Sequence, residues 1–196
     1  MILLSVAHSA SAKGAYNPAY SVSEYELSQI MTSSCKSILD INQIPCDVLD
    51  VGKMRPYMSY KLNYIRRVKP ELAIEIHLNS GNKNADYPMC VYYKNNALTK
   101  RCAQIILNNL KTGFEKQGWT KVRLLEVPTE IKGFDNSRYT FVTKTPCPSI
   151  IVEPLFISNN EQCKYLLSHG ALNSIGEMIG EAILDWHAEK THKGAV

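Results

Sequence analysis

Short apolar, β-branched runs alternate with longer amphipathic stretches along almost the whole chain. Nothing else in the sequence restricts the fold as much, because this is the pattern of an α/β domain with a mostly parallel central sheet flanked by helices. The strand-like runs are Ile2–Val6, Cys46–Val51, Leu72–Ile76 ending at His77, Met89–Tyr93, Val122–Val127 and Ser149–Val152 ending at Glu153. Apolar residues Leu27, Ile30, Met31, Ile38 and Leu39 recur at helical spacing, and helices are expected over Tyr57–Val68, Ala97–Phe114 and Ala171–Ala188. Ser23 and Glu26 make an S-x-x-E capping box that fixes the start of the first helix with Glu24 in its first turn. Ser158 and Glu161 suggest a second box, opening a helix from about Asn159 to His169. A polar loop is expected from His8 to Val22 and another around Gly133.

The chain has 196 residues, enough for one sizeable core. No linker or repeat interrupts it, so a single domain is expected over 1–190 with a short polar tail at 191–196. A composition of 45% hydrophobic and 20% charged residues argues against disorder. The longest uncharged apolar run, Met1–Ala7, is far below the ~20 residues of a membrane span. That run also lacks the basic flank and the length of a signal peptide, and reads as a buried first strand. Cys35, Cys46, Cys90, Cys102, Cys147 and Cys163 match no metal or disulfide spacing, so reduced thiols are expected. The net charge of +4 is mild, and Tyr64–Lys69, the notable basic cluster, is explained as well by a solvated helix end. Nucleic-acid binding is not indicated, nor is stable membrane association.

Polar residues with chemical potential stand where strands run out. His8 follows the first strand, His77 the strand from Leu72, and Glu153 the strand from Ser149. In open parallel α/β sheets ligands bind beyond the carboxyl ends of strands, so these side chains can converge. Glu24 belongs to the same edge, because a right-handed β-α unit starts its helix where its strand ended. Two His and one Glu are a usual protein shell for catalytic zinc, and a separate carboxylate, for which Glu153 is available, is then needed to move protons. Each residue alone has a plain structural reading. Glu24 in a first helical turn is stabilised by the helix dipole by ~0.3–1 kcal/mol without any metal. Asn79 could meet substrate or cap the turn after its strand.

His8 with Lys13-Gly14-Ala15 behind it, Glu24-Tyr25-Glu26-Leu27, Ile74–Ser80 and Ile151–Asn159 resemble, in order and spacing, the zinc-dependent N-acetylmuramoyl-L-alanine amidases. The resemblance covers nearly the whole chain and looks closest to a phage endolysin made of that domain alone. It implies a zinc-amidase-like sheet fold of the phosphorylase/hydrolase-like kind. It also implies one Zn2+ held by His8, Glu24 and His77, with Glu153 as the catalytic carboxylate. The substrate implied is peptidoglycan, cut at the amide between N-acetylmuramic acid and the L-Ala of the stem peptide. The scattered cysteines and the lack of signal-peptide features make cytoplasmic synthesis the expectation, and the resemblance further implies action at the cell wall, in the periplasm. The chain departs from the family pattern in having Ser9-Ala10-Ser11-Ala12 after the first His, Glu75 two residues before the second, and Leu155 two after Glu153. By strand alternation Glu75 falls on His77's own face, within reach of supporting it. The alternatives are a catalytically silent wall-binding or regulatory module of the same fold and another zinc amidohydrolase or carboxypeptidase.

Overall fold

The computed structural model describes residues 1–55, 57–94, 96–127 and 139–193, with residues 192 and 193 as backbone alone; the loop expected around Gly133 lies outside the described residues. The strands are β1 Ile2–Val6, β2 Tyr16–Asn17, β3 Val22–Ser23, β4 Cys46–Leu49, β5 Leu72–Ile76, β6 Met89–Tyr93, β7 Arg123–Val127 and β8 Ser149–Glu153. The helices are α1 Glu24–Ile41, α2 Tyr57–Val68, α3 Ala97–Gly113, α4 Thr140–Lys144, α5 Asn160–Leu166 and α6 Ala171–Lys193. Six strands form one sheet in the order β4-β1-β5-β8-β6-β7. All its pairings are parallel except β6 with β8, so β6 and β7 run against the other four strands.

Strand alternation divides the interior in two. Ile2, Leu4, Ile74, Ile76, Ile150 and Val152 face the layer of α1, α3 and α6, whereas Leu3, Ala73, Met89, Val91 and Ile151 face Ile65 of α2 and Phe141 and Val142 of α4. Ser5, Glu75 and Glu153 lie in phase with the second set, and Ser5 pairs with Glu75 in the sheet register. The candidate site thus grows from the face covered by α2 and α4. On the other face, Ile175, Ile179, Ala182, Ile183 and Trp186 of α6 are buried as core, with Met178 packed at its border. An added Cβ at Gly176 would stand 2.3 Å from the Met31 carbonyl oxygen, so glycine lets α6 lie directly on α1. All six cysteines are free thiols.

Several boundaries differ from expectation. The stretch His8–Val22 is not wholly loop, since β2 and β3 form a small antiparallel ladder before α1. Ser158 is not a helix cap: Asn159 is, its side chain accepting from the Glu161 and Gln162 amides, while Ser158 Oγ accepts from Gly81 N–H. α5 then ends at Leu166 rather than His169. α6 runs past Ala188 to Lys193, because its polar last turns find partners: Glu189 meets Arg101, and Lys190 reaches Glu71 and lies over the Trp186 ring. The first cap holds, with the Glu26 carboxylate accepting from the Ser23 amide and hydroxyl.

Candidate metal centre

Parallel register brings His77 and Glu153 together, since Ile76 pairs with Val152 and the His77 amide donates to the Val152 carbonyl. His8 stands two residues beyond β1, next to β5 in the sheet, in a left-handed backbone conformation with φ 58°. That conformation is strained for a non-glycine residue, as is common at functional sites. Glu24 opens α1, and Ser28 one turn on fastens that helix to the sheet edge, accepting from Ala7 N–H and donating to the Ile76 carbonyl.

These placements converge on the Glu24 carboxylate. Its Oε1 accepts from His77 Nδ1 at 2.8 Å and the Leu78 amide at 3.1 Å; its Oε2 meets His8 Nε2 at 2.9 Å and the Ala15 amide at 3.0 Å. One nitrogen from each imidazole and one Glu24 oxygen lie within 4.8 Å of one another, the only His/Cys/Asp/Glu cluster of this kind among the described residues. The two rings stand edge to face with centroids 5.0 Å apart. His169 and His187 lie outside this cluster, and the side chain of His192 is outside the described residues. Gly14 closes over the group with φ +75°, and a Cβ there would fall 2.3 Å from His8 Cδ2 and 2.6 Å from Glu24 Oε2.

The charges are strongly coupled. Burial by itself would push the Glu24 carboxyl up, but hydrogen bonds from His77 and His8 hold it well below the usual carboxylate range. Burial would push His77 down, yet the Glu75 and Glu24 carboxylates outweigh it and raise the imidazole to about 10. Glu153 behaves the other way: burial is its largest influence and, opposed by His77 and Arg123, pushes its carboxyl up to about 7. Its Oε2 is buried and has no hydrogen-bond partner among the described residues.

His8, Glu24, Glu75, His77 and Glu153 line a cleft of about 280 Å³, walled by Tyr57, Met58, Met89 and Phe141. Asn79 sits at its edge, and its Oδ1 caps the following turn by accepting from Ser80 N–H. Glu75 donates nothing and accepts three times: Oε2 is 2.8 Å from His77 Nε2, and Oε1 is 2.5 Å from Lys61 Nζ and 3.3 Å from the Ser5 hydroxyl. Lys61 carries no mark as a site residue from motif reasoning. The available signal was a lysine one turn before Ile65 on the apolar face of α2.

The donor set fits a divalent cation of zinc type: two imidazoles, one carboxylate fixed by two backbone amides, and a separate carboxyl group with a buried oxygen that has no partner among the described residues. His77 further shows the support usual for a ligating imidazole, with its remote nitrogen on a carboxylate.

A mostly parallel α/β sheet with a His/Glu/His cluster at its strand ends and a carboxyl group beside it defines a candidate metallohydrolase. The sequence profile of the N-acetylmuramoyl-L-alanine amidases matches residues 2–185, and the chain belongs to that family, hydrolases of the amide between N-acetylmuramic acid and L-Ala in peptidoglycan. Among curated proteins, none matches the chain. Solved structures do. The N-acetylmuramoyl-L-alanine amidase AmiC2 of Nostoc punctiforme is similar with a TM-score of 0.80 at 17% identity, over 95% of this chain and 96% of that one. The catalytic domain of CwlV, an amidase from Bacillus (Paenibacillus) polymyxa var. colistinus, gives 0.76 at 16%, over 95% and 97%. The catalytic domain of an endolysin targeting Clostridia difficile gives 0.72 at 21%, over 94% and 96%. At these identities the structures speak for the fold, and the family profile carries the membership. Among the described residues no helix is long and apolar enough to cross a membrane.

Proposed function

We propose that this chain is a zinc-dependent peptidoglycan amidase in which His8, Glu24 and His77 hold one Zn2+ and Glu153 moves the protons. Residues 1–190 act as one catalytic domain, and the enzyme works on the cell wall from the periplasmic side. The observation that carries this reading is the meeting of two imidazole nitrogens on one buried carboxylate beside Glu153, whose buried Oε2 has no hydrogen-bond partner among the described residues. Bound Zn2+ would supply Lewis acidity toward the scissile carbonyl and acidify a water in its open position.

The chain's own groups do the rest. Glu153, its carboxyl pushed up by burial to about 7, accepts the proton of the attacking water. It then returns that proton to the nitrogen of L-Ala as the amide bond breaks. The Leu78 and Ala15 amides fix the Glu24 carboxylate, and Glu75 fixes the His77 ring, so both keep their orientation while charge develops nearby. The mild net charge of +4 favours approach to an anionic wall.

Two substitutions separate metal binding from proton transfer. Glu153→Gln is expected to keep fold and stoichiometric zinc and to lose turnover by roughly 10²–10⁴-fold, the usual worth of a positioned general acid–base. Glu24→Gln is expected to lose zinc, because a neutral amide is a poorer ligand for a dication. Purified peptidoglycan is the substrate, with released stem peptides scored by their free L-Ala amine and zinc measured by metal analysis. Near wild-type turnover by Glu153→Gln would refute the role given to Glu153. Binding to the wall without peptide release by the wild type would refute the enzyme reading.

A further inference from the structure

Lys61 is a buried charge that the chemistry above leaves without a task. It is fully buried and Glu75 is 2% exposed. The ammonium lies 2.5 Å from Glu75 Oε1 and 2.5 Å from the Val6 carbonyl oxygen, beneath the Tyr57 ring. Glu75 Oε1 also lies 3.3 Å from the Ser5 hydroxyl, and its Oε2 lies 2.8 Å from His77 Nε2. The other nitrogen of His77 faces Glu24. A chain of three charged or polar groups therefore runs from the interior of α2 to one edge of the His77 ring.

Fold stability alone is a poor reason for such a pair. Burying two charges costs desolvation that their attraction often fails to recover, and well-packed apolar residues of similar volume commonly serve the fold as well. The pair's geometry has a more specific consequence. A carboxylate turns readily about its last bond, and Glu75 lines the same cleft as His8, Glu24 and His77. Without the ammonium, a lone hydroxyl contact of 3.3 Å would hold Oε1. The carboxylate could then rotate off His77 and turn its own oxygen toward a cation in the cleft.

We propose that Lys61 is a positioning residue of the metal centre: it clamps Glu75 so that this carboxylate accepts from His77 Nε2 and leaves His77 Nδ1 to the cation. The proposal rests on the reading of His77 as a metal ligand. It assigns Lys61 and Glu75 no contact with substrate.

The test is zinc affinity, measured on metal-free protein by competition with a chromophoric chelator, alongside melting temperatures. The variants are Lys61→Met, Glu75→Gln and the double variant. Each single substitution is expected to weaken zinc by about 10–100-fold, the usual range for loss of a ligand's supporting partner. Because Lys61 acts through Glu75, the double variant is expected to bind zinc no more weakly than Glu75→Gln alone. A Lys61→Met protein that is folded, less heat-stable and unchanged in zinc affinity would overturn the proposal. So would losses that multiply in the double variant. If Lys61→Met fails to fold, the double variant, which buries no unpaired charge, carries the comparison with Glu75→Gln. His77→Ala distinguishes the premise: undiminished zinc in that variant would overturn the metal centre itself, whatever Lys61 does.

Discussion

Gly14→Ala should damage the candidate metal centre through one added carbon. At φ +75° a non-glycine residue carries strain of ~1–2 kcal/mol, and the new Cβ would sit 2.3 Å from His8 Cδ2, 2.4 Å from His8 Nε2 and 2.6 Å from Glu24 Oε2. Ordinary contact begins about 1 Å further out, so the His8 ring and the Glu24 carboxylate would each have to retreat by about that much. Neither retreat is cheap. Glu24 is held by the Ala15 and Leu78 amides, and His8 already occupies a left-handed backbone with φ 58°. A misplacement of about 1 Å in a catalytic group costs on the order of 10²-fold in rate, and loss of ligand alignment about 10–100-fold in metal affinity. Gly52→Ala is the control, because Gly52 has φ +54° but no atom within 4 Å of an added Cβ. It carries the strain without the collision, and should lower the melting temperature by about 2–4 °C per kcal/mol while leaving zinc affinity intact. Zinc competition titrations and wall-digestion rates on both variants provide the readout. Zinc affinity within twofold of wild type in Gly14→Ala would show that the cluster tolerates the intrusion, and would refute the close packing argued here.

Zinc binding near pH 7 should release protons, because His77, raised to about 10 between its carboxylates, is charged in the metal-free protein and must be neutral to ligate. Zinc affinity is then expected to rise by about tenfold per pH unit from 6.5 to 8, and calorimetric heats should change with the ionisation heat of the buffer. Heats independent of buffer would contradict this. The same raised pKa stabilises the metal-free fold below pH 6.5, and that contribution fades as pH climbs toward about 10, which pH-dependent melting would register. Gly176→Ala, at the contact of α6 with α1, should cost about 1–3 kcal/mol by overpacking, read as a lower denaturant midpoint with zinc affinity unchanged.

Local chemistry in the sequence determined most of the elements. β-Branched runs bounded by polar residues became β1, β5, β6 and β8, and the Ser23–Glu26 box started α1 where a side chain can close its own first turn. His8, Glu24, His77 and Glu153 were legible as a candidate site because strand ends and helix starts in a parallel sheet share one edge, and the family resemblance implied the same residues. Glu75 was legible too, from the two-residue period that puts it on His77's face.

The reversed direction of β6 and β7 could not be read, since periodicity is the same whichever way a strand enters a sheet. That reversal sets Met89, at the start of β6, against Glu153, at the end of β8, and puts Met89 in the cleft wall. The choice between Ser158 and Asn159 as cap also fell to tertiary contacts, because Gly81 engaged the serine hydroxyl from 77 positions away. Lys61 is the clearest case. Its neighbours in sequence describe an ordinary amphipathic helix, and the partner that makes a buried ammonium tolerable belongs to a strand 14 residues further on. Pattern reports which face of an element is covered. Which charge meets which across the interior is decided only when the covered faces are packed together.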